Sequence, residues 1–328
     1  MRKIRLLLFP LSVIYDLITA LRNFCFDLGI FQQYKPKVKT IAVGNLSTGG
    51  TGKTPVIEHL IMTYSSRKIG VVSRGYGRDT RGYIEVKYTH TASEVGDEPL
   101  QIKKKFGDQI RFAVSENRAV GIQKLTDTYD LDLILLDDAF QHRHVRAHIY
   151  ILLTSYDRPY TSDYLLPAGD LRESRTGALR ADHVVVTKCP TYLSAKERSI
   201  ISKKICLEKY QQLHFTTISY SSILKGKTDL ELTEVKQAKI TLVTGIAKPQ
   251  PLVDYLSTYF EVEHLNFSDH HTFALSEIET IKNHDFIITT EKDYMRLENY
   301  DIPNLYYLEM QMKFLESENP DFLQATHF

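Results

Sequence analysis

Thr40-Ile41-Ala42-Val43-Gly44-Asn45-Leu46-Ser47-Thr48-Gly49-Gly50-Thr51-Gly52-Lys53-Thr54 is the stretch that decides how this chain is read. A short apolar run, Thr40 to Val43, reads as a buried strand, and a turn rich in glycine follows it. A helix is expected from near Lys53, with Val56, Leu60 and Ile61 on its inner side. Glycines permit positive φ and close approach, so the amides from Ser47 to Gly52 can wrap a phosphate chain. The helix start adds its positive end. In that arrangement Lys53 reaches the β- and γ-phosphates of ATP, and Thr54 offers its hydroxyl to Mg²⁺. The general pattern opens with glycine where this chain has Ser47. The placement between strand and helix is nevertheless what the mechanism requires.

Outward from this loop, short apolar runs alternate with helical stretches. The runs are Gly70 to Ser73, Ile110 to Val114, Leu131 to Leu136, His148 to Leu153 and His183 to Thr187. Strands apolar on both faces and separated by helices imply a mostly parallel sheet covered on both sides, an α/β fold of the P-loop NTPase type. The pattern thins from Leu213 to Leu232. A further strand and turn open at Lys239 to Gly245, with a helix through Leu252, Tyr255 and Leu256, and strands at Asp285 to Thr289 and Leu305 to Leu308. The expected division is residues 1–30 as an N-terminal helix, 31–225 as a P-loop kinase domain, and 226–328 as a smaller C-terminal α/β domain.

Bulk properties narrow the partners. The 328 residues carry a formal charge of +1, so nothing global favours nucleic acid, and no protein partner is implied. Three isolated cysteines fit a reducing compartment and make no zinc site. The first 26 residues differ from the rest. Placed on a helix, Leu7, Leu11, Ile14, Ile18 and Leu21 share one face, and Ser12, Asp16, Thr19 and Asn23 another. The longest uncharged run, between Arg5 and Asp16, is about half of what a spanning helix needs. With Arg2, Lys3 and Arg5 before it and Lys35, Lys37 and Lys39 beyond, the segment suits the interface of an anionic membrane. A core helix packed on the main domain is the plainer reading.

Three more words carry chemistry. Leu133 to Leu136 end in Asp137-Asp138, where a P-loop enzyme holds its metal; alone, such acids can serve a turn. Gly96-Asp97-Glu98-Pro99 supplies a carboxylate of the kind a kinase needs to orient or deprotonate a hydroxyl, although a solvated loop would look the same. Ser73-Arg74-Gly75-Tyr76-Gly77-Arg78 ends a sheet strand, where ligands bind, and pairs phosphate-binding guanidinium groups with a tyrosine suited to a sugar face. The paired histidines near His142 and at His270-His271 lack companions at zinc spacing; a role in orienting a carboxylate suits them better.

Together these words resemble the tetraacyldisaccharide 4′-kinase family of lipid A assembly in Gram-negative bacteria. The match also takes in Asp137-Asp138-Ala139-Phe140-Gln141-His142, Leu165-Leu166-Pro167-Ala168-Gly169 with Leu171-Arg172-Glu173, Val243-Thr244-Gly245-Ile246-Ala247, Asp269-His270 and Thr289-Thr290-Glu291-Lys292-Asp293. The resemblance implies transfer of the ATP γ-phosphate to the 4′-hydroxyl of a tetraacyldisaccharide 1-phosphate, a glycolipid. It also implies a monotopic enzyme on the cytoplasmic face of the inner membrane, with ATP between a larger and a smaller domain. Asp97 matches the catalytic carboxylate and His270 its partner. Asp137 and Asp138 match the acids near the metal, and His142 an active-site histidine. Arg74, Tyr76, Glu98, Arg118 and Arg172 align with contacts to the disaccharide or phosphate. Ala139 stands where many members have glycine, and Asp170 where proline is usual.

Two rivals remain on sequence grounds. A membrane-associated P-loop ATPase acting on a protein partner would hydrolyse ATP to water, but Thr48 occupies the place of the lysine that marks such switches. A kinase for a small soluble sugar fits the loop but leaves the N-terminus unexplained.

Overall fold

The computed structural model describes residues 2–269 and 271–315. Thirteen strands form one sheet: β1 (Lys39–Asn45), β2 (Ile69–Ser73), β3 (Ile84–Glu85), β4 (Ile110–Val114), β5 (Leu133–Leu136), β6 (Ile149–Ser155), β7 (His183–Cys189), β8 (Gln212–Lys225), β9 (Leu230–Glu231), β10 (Lys239–Thr244), β11 (Glu261–Asn266), β12 (Ile287–Thr290) and β13 (Leu305–Phe314). Their spatial order is β11-β10-β12-β13-β8-β7-β6-β1-β5-β2-β4-β3, with β9 on β8. From β4 across to β8 every neighbouring pair is parallel, as the runs of Val, Ile and Leu predict. Helix Lys53–Thr63 buries Val56, Leu60 and Ile61 against this sheet, as its spacing predicts.

The fold joins its halves through backbone. β8 pairs in parallel with β7 on one side and antiparallel with β13 on the other, so one strand belongs to both ends of the sheet. This longest strand lies where the sequence signal is thin. Its residues Thr216, Thr217, Ser219, Ser221 and Ser222 are β-compatible but hardly apolar, and hydrogen bonds from two neighbours replace hydrophobic patterning. Two-residue β3 and β9, and half-exposed β11 at the sheet edge, likewise lack apolar runs.

The N-terminal helix Phe9–Asp27, preceded by a 3₁₀ turn at Leu6–Leu8, packs with its polar side inward. Ser12 donates to the Leu165 carbonyl at 3.0 Å and accepts from the Ala168 amide at 3.0 Å. Tyr15 donates to the Arg172 carbonyl at 2.8 Å, and Arg22 to the Gln141 carbonyl at 2.7 Å. The opposite side is bare: Leu7, Leu11, Ile14, Leu17, Ile18 and Leu21 are all more than half exposed. The polar face is thus packed on the main body, as the plainer reading expects, while the apolar face is left bare. By length and composition Leu6–Asp27 is long enough to cross a bilayer, although its charge-free run predicts otherwise. Contacts with the body along its polar side place protein, not lipid, on that face.

Candidate active site

Parallel strands deliver their following loops to one edge of a sheet. Here β1, β5, β2 and β4 lie side by side, and after them come the glycine loop, Asp137-Asp138, the Arg74 turn and Arg118. Adjacent pairing alone therefore gathers four words that are far apart in the chain.

The loop after β1 has the backbone its glycines allow. Gly49 has φ 106° and Gly52 φ 86°, and Gly52 caps the helix that Lys53 opens. Side chains of β7 and its end hold the loop from outside: Thr187 donates to the Thr51 carbonyl and Lys188 to the Gly50 carbonyl, each at 2.7 Å. Its other flank is tied by the Thr48 amide to the Asp170 carbonyl at 2.7 Å. Ser47 makes a single bridge to Leu171, so the residue in place of the first glycine is spent on anchoring.

Across the loop, Lys53 Nζ lies 3.8 Å from Asp138. Arg172 grips the same carboxylate with both ends of its fork, at 2.8 and 3.1 Å, and also donates to the Asn45 carbonyl at 3.1 Å. Burial pushes Asp138 up, but Lys53 and Arg172 outweigh it and hold the carboxyl at about 2. Asp137 has no such clamp. Burial, with Glu98 and Asp138 nearby, pushes it up to about 7. Its Oδ1 is buried with no hydrogen-bond partner, as are Thr51 Oγ1, Gln141 Oε1, Arg118 Nε and Arg172 Nε. Buried polar atoms are rarely left so. Those of Thr51 and Asp137 lie in the glycine loop and just after β5, the two places the sequence assigns to phosphate and metal.

Those donors fit Mg²⁺. The Thr54 hydroxyl and the Asp137 carboxylate are hard oxygen ligands, one in the helix that follows the glycine loop and one just after β5. Among the described residues no group of three or more acids, histidines or cysteines could hold a metal alone.

Arg118 is buried against the backbone of the acids, whereas His142 is only partly buried and borders an open cleft. Arg118 is 3% exposed and donates to the carbonyls of Ser115 and Asp137 at 3.0 and 3.1 Å. His142 Nε2 accepts from the Arg118 amide at 3.3 Å; burial and the Arg118 charge push the ring down to about 4, so it is neutral at pH 7. An open cleft of about 620 Å³, bordered by Glu116, Asn117, His142 and His144, lies beside them.

Asp97 begins helix Asp97–Phe106, behind Gly96 at φ 95°. A Cβ on Gly75 would meet the Val95 carbonyl at 2.8 Å, so the Arg74 turn and the Gly96 turn touch backbone to backbone. Arg74 and Tyr76 are exposed on that turn. Asp97 is engaged by Arg296, a residue no sequence word singled out. Next to it Lys292 approaches Glu98 at 3.6 Å. His270, expected as the partner of Asp97, lies outside the described residues. Arg296 had one legible trace: it stands three residues after Asp293, at ion-pair spacing, just past the Thr289 to Asp293 word. Asp138, at φ 44°, takes the positive dihedral beside Ala139, which explains why alanine is tolerated there. Asp170 accepts from Arg5 at 2.8 Å and from Arg158, tying the N-terminal segment to the nucleotide loop.

Comparison with known proteins agrees over the whole length. The family described as Tetraacyldisaccharide-1-P 4′-kinase matches residues 4–326. Tetraacyldisaccharide 4′-kinase of Flavobacterium johnsoniae is 45% identical over 325 residues, covering 97% of this chain and 95% of the relative. That of Bacteroides thetaiotaomicron is 39% identical, covering 98% and 92%. LpxK from Aquifex aeolicus, solved in complex with ATP, superposes with a TM-score of 0.80 at 26% identity, over 98% of both chains. This chain belongs to the tetraacyldisaccharide-1-P 4′-kinase family.

Proposed function

We propose that this protein transfers the γ-phosphate of ATP to the 4′-hydroxyl of a tetraacyldisaccharide 1-phosphate. The observation that carries the reading is the unpartnered Asp137 carboxylate beside the Lys53–Asp138 pair, at the mouth of a glycine cradle, in a chain that matches this kinase family end to end.

The cradle amides from Gly49 to Gly52 and the Lys53 ammonium bind the triphosphate and offset charge on its outer oxygens, while the Thr48 amide is spent on the Asp170 carbonyl. Mg²⁺, held by Thr54 and Asp137, supplies further charge neutralisation when bound. Asp138 takes no proton near pH 7; Arg172 fixes it so that it orients Lys53. Asp97 orients the acceptor hydroxyl and takes its proton as the oxygen bonds to phosphorus and ADP leaves with the bridging electron pair. His270 is its proposed partner. Arg74, Tyr76 and Glu98, around the Gly96 turn, contact the sugar or its phosphate. Arg118 and His142 brace the acidic loop from below, which supports a positioning role for both.

The bare apolar side of the N-terminal helix supports residence at a membrane surface, with the acceptor lipid drawn from the same bilayer. We place the protein on the cytoplasmic face of the inner membrane, where ATP is available. The division near residue 225 is proposed as the hinge between lobes; the β8–β13 pair is the backbone that would bend.

Labelled ATP mixed with lipid extract tests the function. Label on a glycolipid is the expected result. Free phosphate would instead support an ATPase, and a water-soluble labelled product a soluble-sugar kinase.

A further inference from the structure

Where the N-terminal helix ends, it closes one side of a cavity of about 270 Å³ whose walls include Phe26, Asp27, Arg143, Arg146, Tyr150 and Arg180. Two of its guanidinium groups are fixed in advance. Arg143 pairs with Asp27 at 2.5 Å and lies over the Phe26 ring at 5.3 Å. Arg180 pairs with buried Glu173 at 2.8 Å and lies over Phe140 at 4.8 Å, while its Nε is buried with no hydrogen-bond partner. Arg146 is exposed, and among the described residues no carboxylate pairs with it. Three cations thus meet two anions here, and the surplus charge sits at the open wall.

Pre-set guanidinium forks with donors to spare match an oxyanion with several acceptors, above all a phosphate. The surroundings say which phosphate. Directly after the cavity wall come Leu28, Ile30 and Phe31, exposed by 59%, 63% and 42%, which extend the apolar surface of the helix. Lys35, Lys37 and Lys39 follow. A cationic cavity flanked by bare apolar residues is placed for the boundary between headgroups and acyl chains.

We propose that this cavity binds the phosphate of an anionic phospholipid headgroup, fixing the enzyme on acidic bilayers at a defined point. The inference rests on the membrane-surface reading of the helix. One basic group at an anionic surface is worth a factor of about five in partition, so reversing a charge there, a change of two units, costs roughly twenty-five-fold.

The test is vesicle flotation of the full-length protein, with phosphatidylcholine alone and with phosphatidylcholine containing phosphatidylglycerol. The wild type is expected to bind the mixed vesicles more tightly. Arg146→Glu should lose that advantage by roughly twenty-five-fold while keeping its partition onto neutral vesicles, and Arg146→Gln should lose about fivefold. An unchanged preference in both variants overturns the proposal. So does a raised KM for the acceptor in neutral detergent micelles with vesicle preference intact, which would assign the cavity to the acceptor's own phosphate. Binding of inorganic phosphate that needs Arg146 but leaves flotation unaltered overturns it too. Failure of the wild type to bind either vesicle would sink the membrane-surface reading itself; binding to both equally sinks only the headgroup site.

Discussion

Arg296 reaches from the C-terminal half to donate to the Asp97 carboxylate, while its other nitrogen holds Asp293 at 3.1 Å. The contact is one of a row. Lys292 faces Glu98, Lys104 faces Glu298, and Lys105 meets Glu291 at 3.3 Å. Helix Asp97–Phe106 is thereby registered against Glu291–Leu297 and the turn after it by ion pairs and by the Lys105–Glu291 hydrogen bond, and the row ends at the proposed catalytic carboxylate. Asp293 is locked in turn by the Gly245 amide at 2.9 Å and the Thr290 hydroxyl at 2.8 Å. The Val243 to Ala247 and Thr289 to Asp293 words thus work as a mount for Arg296.

Removing Arg296 takes a guanidinium partner from Asp97, which is partly buried, and from Asp293, which is fully buried. Arg296→Ala is expected to lower stability by about 3 kcal/mol. In a double-mutant cycle with Asp97→Asn the coupling should exceed ~1 kcal/mol. Thermal or denaturant melts of the four proteins measure it; strict additivity would remove the pair from any structural role.

Lys53→Ala and Asp97→Ala should each reduce turnover by at least ~10²-fold, the usual cost of losing a charge-stabilising or proton-accepting group. Lys53→Ala is also expected to weaken nucleotide binding, whereas Asp97→Ala should spare it. Steady-state rates with ATP titration separate the two. Wild-type turnover in Asp97→Ala would take Asp97 out of the mechanism.

Gly52 has open space around its Cβ position, with the nearest atom 3.9 Å away, so an added methyl meets no clash. Its φ of 86° is the difficulty. Gly52→Ala should cost about 1–2 kcal/mol of backbone strain and weaken ATP binding by roughly tenfold as the cradle relaxes. Calorimetric titration with ATP tests this, and an unchanged affinity would show that the loop does not need that conformation.

Buried Glu58 and Glu291, with Glu309, share one ammonium, Lys105. Burial first, then Glu58, pushes Glu291 up to about 8. The folded state therefore holds a proton that the unfolded chain releases above its ordinary 4.5. That contribution to stability is present below pH 4.5 and is lost as pH rises toward 8. Glu291→Gln should flatten the decline and stabilise the protein at pH 8 by on the order of 1 kcal/mol. Melting curves across this range would show parallel slopes if the cluster were silent.

Leu11, Leu17 and Leu21 are exposed and make no core. Changing all three to serine should leave the melting temperature and activity on detergent-dispersed acceptor near wild type. Each leucine drawn from water is worth about 1.5–3 kcal/mol, so vesicle binding should fall by 10²-fold or more. Unchanged flotation would locate the membrane contact elsewhere.

Local order along the chain was written plainly. The glycine loop has a steric signature, because few residues accept φ near 90–100°, and the apolar runs of β1, β2, β4, β5, β6 and β7 show in composition. The helix face with Leu11 and Leu21 is a matter of period, and so is its polar partner with Ser12 and Asn23. None of these depends on what lies opposite. The tertiary structure alone decided that Arg296 meets Asp97, that Arg172 closes on Asp138, that Arg118 is buried under the acidic loop, and that a strand of threonines and serines joins the two halves. Ion pairs between residues 199 positions apart carry no local pattern, since either partner would look the same on any solvated surface. Likewise β8 is a strand because β7 and β13 flank it, a property of its neighbours in space.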